Sequence, residues 1–115
     1  MSRIDTHLLE QYVDMLGYEG VQASLSTFRS LMPDYYDELE TFVAVKDSAS
    51  VRRQAHKMKG ACRSLGFVTL AKYMEQIEKD AWQWGFVNDV LEKWPTEVSQ
   101  DIVLVEQWLL PHAAV

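Results

Sequence analysis

The chain has 115 residues, and 48% of them are hydrophobic, which is enough to bury the core of one ordinary domain without disulfides or structural metals. Its single cysteine, Cys62, excludes an intramolecular disulfide, and the sequence shows neither a secretory signal nor an apolar run long enough to span a membrane. A net charge of −6 argues against general nucleic-acid binding. We therefore expect one soluble, cytoplasmic domain over residues 1–115.

The first half of the chain has the apolar spacing of helices. Asp5 is a candidate N-cap for a short N-terminal helix that Gly17 closes. Apolar residues then recur at spacings of three and four, as in one long amphipathic helix: Val21, Leu25, Phe28, Met32, Tyr35, Leu39 and Phe42. Pro33 lies inside this stripe, and because proline removes a backbone donor we expect it to kink or divide the helix.

The second half predicts three further helices. Ser48 is a candidate N-cap and Gly66 a candidate closing residue for a helix with the apolar stripe Val51, Ala55, Met58, Cys62 and Leu65. The next stripe is Leu70, Tyr73, Ile77, Ala81 and Trp84, and it stops at Gly85. The last helix is expected to begin at Pro95 and to end before Pro111. Short connections favour an all-α fold, an antiparallel up-and-down four-helix bundle with a short additional N-terminal helix.

Basic residues are concentrated in one of these helices. From Ser48 to Met74 the chain has six basic residues and no acidic one, whereas the remainder carries all 17 acidic residues against five basic ones. With 100° per residue, His56 lies opposite the apolar stripe, and within about 60° of it lie Arg52, Arg53, Lys59, Gly60 and Arg63. The sequence therefore predicts an exposed histidine surrounded by cations on an otherwise acidic protein.

Gly60 is the least expected residue of this face. Glycine in a helix interior costs about 1 kcal/mol relative to alanine. On an exposed face it fills no packing need, so we interpret Gly60 as space for a molecule that approaches His56.

The chemistry of the face favours phosphoryl transfer. Neutral imidazole is a good nucleophile near pH 7, and Lys59 and Arg63 are placed to balance the negative charge of a phosphoryl group on His56. The sequence shows no glycine-rich phosphate loop, no base paired with the histidine and no carboxylate cluster suited to magnesium within this segment. We expect a protein that accepts a phosphoryl group but does not take it from ATP.

The residues around His56 also follow a family pattern at fixed spacing, namely His56, Met58, Lys59, Gly60, Ala61, Leu65, Gly66, Phe67 and Leu70. On these residues the chain resembles the histidine-containing phosphotransfer (HPt) domain of multistep two-component phosphorelays. The resemblance implies that His56 is phosphorylated through Nε2, that Lys59 stabilises the phosphoryl group and that Gly60 admits a response-regulator receiver domain. It further implies a hybrid sensor histidine kinase as a partner and a carrier without autonomous kinase activity. Magnesium is then expected on the receiver, with no cofactor on this chain.

Other residues are candidates from charge and geometry. Arg52, Lys57 and Arg63 are placed to steer an acidic partner, and Phe67 and the N-terminal helix are candidates for apolar docking. An exposed relay histidine is easiest to reach on a monomer, which is the expected state.

Other classes of function agree less well with these residues. A helical-bundle adaptor or kinase inhibitor would keep the fold without being phosphorylated, but the presence of both His56 and Lys59 argues against it. A metal site is disfavoured because His7, His56 and His112 show no helical pairing and Cys62 lies on the apolar stripe. The acidic remainder of the chain argues against nucleic-acid binding.

Overall fold

A computed structural model describes residues 2–113 as a helical bundle. Its four α-helices are α1 (Thr6–Ala44), α2 (Ser48–Ser64), α3 (Val68–Lys79) and α4 (Trp84–Leu109), followed by a 3-10 turn at Leu110–His112. The connections are three or four residues long, so that successive helices run antiparallel. The predicted all-α up-and-down bundle is confirmed. Three residues of the predicted domain, 1, 114 and 115, lie outside the described residues.

The short N-terminal helix is the first part of α1. Asp5 caps it, since its carboxylate accepts a hydrogen bond of 3.0 Å from the backbone N–H of Leu8. Gly17 interrupts the helix with φ 73° and ψ 173°, a conformation that favours glycine. The predicted end of the short helix at Gly17 is thus confirmed. The predicted division at Pro33 is wrong, because the chain keeps helical dihedral angles there.

Three predicted helix boundaries are corrected. Asp47, and not Ser48, is the N-cap of α2, and its carboxylate accepts from the backbone N–H of Ser50 at 3.1 Å. The third helix ends at Lys79, which leaves Ala81 and Trp84 outside it, and α4 begins at Trp84 rather than at Pro95.

Pro95 lies inside α4 because α1 repairs the defect that it creates. A proline removes the hydrogen bond to the carbonyl four residues earlier, which here is Leu91. The Tyr36 hydroxyl on α1 donates to that carbonyl at 2.7 Å. The tertiary structure thus supplies the bond that the helix lacks.

The core confirms the predicted stripe of α2. Its five residues are at most 4% exposed, and Phe67 packs against Phe28 of α1 with ring centroids 4.8 Å apart. Burial raises the pKa of the Cys62 thiol, as expected of a cysteine that acts as a small apolar residue. None of the helices in residues 2–113 has the length and apolarity that a membrane crossing requires.

The turn between α2 and α3 is closed by glycine and tied to the N-terminal segment. Gly66 has φ 75°, and its N–H and that of Phe67 donate to the carbonyls of Arg63 and Cys62, the pattern of a Schellman motif. The Gly66 carbonyl in turn accepts from the N–H of Asp5 at 2.8 Å. The predicted closing role of Gly66 is confirmed.

Arg3 extends this connection to α4. Its guanidinium donates to both oxygens of Asp101, which is fully buried, and to Glu97. Glu97 also accepts from the Tyr73 hydroxyl of α3 at 2.9 Å. The start of the chain therefore fixes α3 and the turn before it against α4, and α3 carries half of the site described next.

Candidate functional site

His56 projects from the outer face of α2, as the helical pattern predicts. Its side chain is 69% exposed, whereas the neighbouring stripe residues Ala55 and Met58 are fully buried. The ring is not isolated, because Nδ1 lies 2.7 Å from Oε2 of Glu78 on α3. The expectation that no base is paired with the histidine is therefore wrong.

Glu78 joins His56 to Lys59. Its other oxygen, Oε1, accepts from Nζ of Lys59 at 2.5 Å. Lys59, followed by His56, holds the pKa of the Glu78 carboxyl below its usual range, so that the group is an ionised carboxylate at neutral pH. An ionised carboxylate only accepts hydrogen bonds, so Nδ1 of His56 must carry a proton. The lone pair of the neutral ring then lies on Nε2.

Lys59 is not on the exposed face where the sequence placed it. Its side chain is only 7% exposed, because it crosses from α2 to the carboxylate of Glu78 instead of extending into solvent. A buried ammonium requires such a partner. No local pattern indicates this partner, since Glu78 lies 19 residues later and the two side chains meet only when α2 and α3 pack.

The other predicted cations divide between exposed and anchored positions. Arg63 is 56% exposed and lies 3.3 Å from Glu75 of α3, and Lys57 is 47% exposed and lies 3.8 Å from Glu38 of α1. Arg53 is exposed, whereas Arg52 is half-buried and donates to backbone carbonyls at the end of α3. The positive charges of Lys57 and Arg63 are thus partly neutralised by acidic residues of α1 and α3.

Gly60 leaves an open surface one turn beyond His56. A Cβ atom added at Gly60 would have no heavy atom within 4 Å apart from its local helix backbone. The fold itself therefore does not need glycine at this position, which supports the interpretation that the space serves an approaching molecule.

Comparison with known proteins agrees with this geometry. The family model described as "Hpt domain" matches residues 23–107, which include α2, α3 and most of α1 and α4. The chain belongs to the Hpt domain family. It is a histidine-containing phosphotransfer domain of the kind that works in phosphorelays.

Two relatives are sensor proteins of Escherichia coli. The chain is 28% identical over 109 residues to the aerobic respiration control sensor protein ArcB and 24% identical over 106 residues to the sensor protein TorS. Each match covers 92% of this chain but only 14% of ArcB and 11% of TorS. The chain therefore spans a small part of these relatives.

A solved structure has the same fold. The histidine-containing phosphotransfer domain of ArcB from Escherichia coli superimposes with a TM-score of 0.85 at 28% identity, and the match covers 94% of this chain and 93% of that one. Since this match covers 94% of the chain, the similarity in fold extends beyond residues 23–107.

Phe67 is not exposed for docking on this Hpt domain, contrary to the expectation. It is fully buried, because the turn after Gly66 points its ring into the core against Phe28. The N-terminal helix stays a candidate. Its Leu16, which is 53% exposed, lines a cavity of about 380 Å³ together with Leu31 of α1 and with Ala61 and Leu65 near Gly60. Only the packing of α1 on α2 creates this apolar surface, so the sequence pattern could not identify it.

Among residues 2–113, no group of three or more histidine, cysteine, aspartate or glutamate side chains is placed to hold a metal ion. The carboxylates that approach the site, Glu75 and Glu78, are engaged with basic residues of α2.

Proposed function

We propose that His56 carries the phosphoryl group of this Hpt domain and exchanges it with the aspartate of a response-regulator receiver domain. The observation that carries the proposal is the hydrogen bond between His56 Nδ1 and the ionised Glu78. In the neutral ring it selects the tautomer whose unprotonated Nε2 is free to attack.

The transfer step follows from this tautomer. Nε2 attacks the phosphorus of the receiver's aspartyl phosphate, an N–P bond forms, and the P–O bond breaks as the aspartate carboxylate leaves with the electron pair. The Nδ1 proton stays in the hydrogen bond to Glu78, whose negative charge balances the positive charge of the phosphorylated ring. The reverse step returns the phosphoryl group to an aspartate by the same atoms.

Lys59 and Gly60 act beside the histidine in this proposal. Lys59 holds Glu78 in place and follows His56 by three residues on α2, and we propose that its positive charge also stabilises the phosphoryl group. Gly60 leaves room for the receiver's backbone. Magnesium and the acidic residues that bind it belong to the receiver, and this chain works without a cofactor.

The charge distribution supports an acidic partner. Helices α2 and α3 contain seven basic and two acidic residues, among them the exposed Arg53, Lys57 and Arg63. Such a surface accelerates encounter with the acidic active site of a receiver. The relatives ArcB and TorS are sensor proteins, so we also propose that a hybrid sensor kinase is a source of the phosphoryl group. We further propose that the chain is a cytoplasmic, monomeric carrier without kinase activity of its own.

The test is transfer of radiolabelled phosphate from phosphorylated receiver domains to the purified chain. We expect an acid-labile label that His56→Gln abolishes, whereas His7→Gln and His112→Gln retain it. The phosphotransfer domain of ArcB, run in parallel, shows that the donors are active. Absence of label from every active donor, or label that survives His56→Gln, would contradict the proposal, and binding without label would favour the adaptor alternative.

A further inference from the structure

The carboxyl end of α3 lacks the closure that α2 has. A helix leaves its last four carbonyls without partners inside the helix. In α2 the turn at Gly66 satisfies carbonyls at that end, but α3 is followed by Asp80 in an extended conformation with φ −80° and ψ 157°. Of the last four carbonyls of α3, that of Gln76 accepts from a backbone N–H, that of Asp80.

Arg52 of α2 supplies the missing closure. Its Nη1 atom donates to the carbonyls of Glu78 at 2.9 Å, Asp80 at 3.0 Å and Ile77 at 3.3 Å. A cation is also favoured at a helix carboxyl end, where the carbonyl dipoles point outward. One side chain of α2 thus binds the backbone of three residues at the end of α3.

Trp82 completes this cap. Its ring lies under the guanidinium, with the Arg52 carbon Cζ 4.8 Å from the ring centroid, and its indole N–H donates to the Ile77 carbonyl at 2.7 Å. The indole ring limits the positions open to the guanidinium, and both groups bind the same carbonyl. Arg52 and Trp82 therefore hold the end of α3 from two sides.

Glu78 is consequently bound through both its backbone and its side chain. Its backbone carbonyl accepts from Arg52, and its carboxylate accepts from His56 and Lys59. Arg52 precedes His56 by four residues, one turn of the same helix. The backbone that carries Glu78 is thus fixed to the helix that carries the histidine.

We infer that Arg52 is a positioning residue, which fastens the carboxyl end of α3 to α2 and so keeps the Glu78 carboxylate on Nδ1 of His56. This inference rests on the proposed function in that the Nδ1-protonated tautomer is the form that accepts the phosphoryl group. It replaces the steering role that the sequence suggested for Arg52, because the guanidinium is used inside the molecule.

The first measurement is the tautomer of His56 in the unphosphorylated protein, from the nitrogen chemical shifts and couplings of the imidazole. Arg52→Met removes the closure and keeps a long apolar side chain against Trp82. Arg53→Met is the matched control, because it removes the same charge from the next residue, whose own hydrogen bond is to Ser50 within α2. We expect the Nδ1-protonated fraction to fall in Arg52→Met and to stay at the wild-type level in Arg53→Met.

The second measurement is the rate of phosphoryl transfer from a phosphorylated receiver. We expect a decrease of about 10- to 100-fold in Arg52→Met, the size of effect that misplacement of a reacting group produces. Arg52→Lys restores a cation that can reach the carbonyls and should recover most of the tautomer and of the rate. A residue that only stabilised the fold would leave the tautomer of the folded protein unchanged.

The outcomes separate the two proposals. An unchanged tautomer in folded Arg52→Met overturns the positioning role, whatever the labelling shows. A shifted tautomer in a protein that never accepts label supports the positioning role and contradicts the proposed function. If Arg52→Met does not fold, Trp82→Phe gives the same test, because it loses the indole N–H bond to Ile77 and part of the ring under the guanidinium. A smaller shift is then expected, and no shift would overturn the inference.

Discussion

The two helix pairs of the bundle, α2 with α3 and α1 with α4, use their polar residues in different ways. Between α2 and α3 the polar side chains make contacts from one helix to the other, through Arg52, His56, Lys59 and Arg63. Between α1 and α4 the described contacts of this kind are the bond from Tyr36 to the Leu91 carbonyl and an exposed ion pair, Arg29 with Glu106.

The charges differ as well. Helices α1 and α4 contain twelve acidic and two basic residues, the reverse of the balance in α2 and α3. Most acidic residues of α1 and α4 lie in solvent, where a pair such as Arg29 and Glu106 contributes only about 0–1 kcal/mol. The difference shows that α1 and α4 contribute mainly an apolar support. In the α2 and α3 pair, polar side chains hold His56 in one tautomer.

The largest expected effect comes from breaking the apolar support. Trp94 of α4 is 1% exposed, and Trp94→Ala should lower the free energy of unfolding by about 3–5 kcal/mol because it leaves a large cavity. Denaturant unfolding measures this loss. Val103→Ala, at a position of the same helix that is 47% exposed, should stay within about 0.5 kcal/mol of wild type.

If the two pairs have separate roles, the fraction of Trp94→Ala that remains folded should keep the wild-type tautomer of His56. A changed tautomer would show that the support also sets the state of the site.

The next largest loss of stability is expected at Arg3, which connects α4 to the turn between α2 and α3. Arg3→Met leaves the buried carboxylate of Asp101 without its cation and should cost about 2–4 kcal/mol, somewhat less than a fully buried pair because Arg3 is a third exposed. Thermal and denaturant unfolding test this. A loss no larger than that of Arg29→Met, which breaks the exposed pair with Glu106, would mean that the link contributes no more than a surface ion pair.

A smaller effect is expected from substitution of Gly60, which should raise stability but slow phosphoryl transfer. Gly60→Ala should raise the free energy of unfolding by about 0.5–1 kcal/mol, since alanine favours a helix interior and its Cβ meets no neighbour. The same methyl group should slow phosphoryl transfer from a receiver. Gly85→Ala in α4, where a Cβ also meets open space, is the matched control and should leave transfer unchanged. Equal transfer rates in Gly60→Ala and Gly85→Ala would contradict the proposal that Gly60 leaves room for the receiver.

The smallest expected effect is a dependence of the unfolding free energy on pH that arises from Glu78 in the α2 and α3 pair. Lys59, followed by His56, lowers the pKa of Glu78 below its ordinary value of 4.5. The ionised carboxylate therefore stabilises the folded state above about pH 4.5, and this stabilisation is lost as the pH falls through the lower pKa of the folded protein. Glu78→Gln should flatten the fall in unfolding free energy between about pH 5 and 3. Denaturant unfolding at several pH values checks this, and an unchanged slope would contradict the lowered pKa.

Much of this protein follows from local patterns in the sequence. The period of apolar residues identified the helices, and the outward position of His56 followed from the stripe of Val51, Met58 and Cys62 on the opposite side of α2. Asp5, Gly17 and Gly66 marked helix ends correctly because capping and positive φ are properties of the residue itself. Pro95 misled the prediction, because the bond that compensates for it comes from Tyr36 on another helix.

What only the tertiary structure decided is which side chains meet His56. The helical pattern predicts Lys59 on an exposed face, whereas its side chain is buried against Glu78. Arg52 and Phe67 are predicted to contact partners, whereas Arg52 closes α3 and Phe67 lies in the core. Helical periodicity gives the direction of a side chain from its own axis but not the rotation and height of the next helix. Those two quantities depend on how the apolar stripes pack, and they place an acidic residue 22 positions away against the histidine.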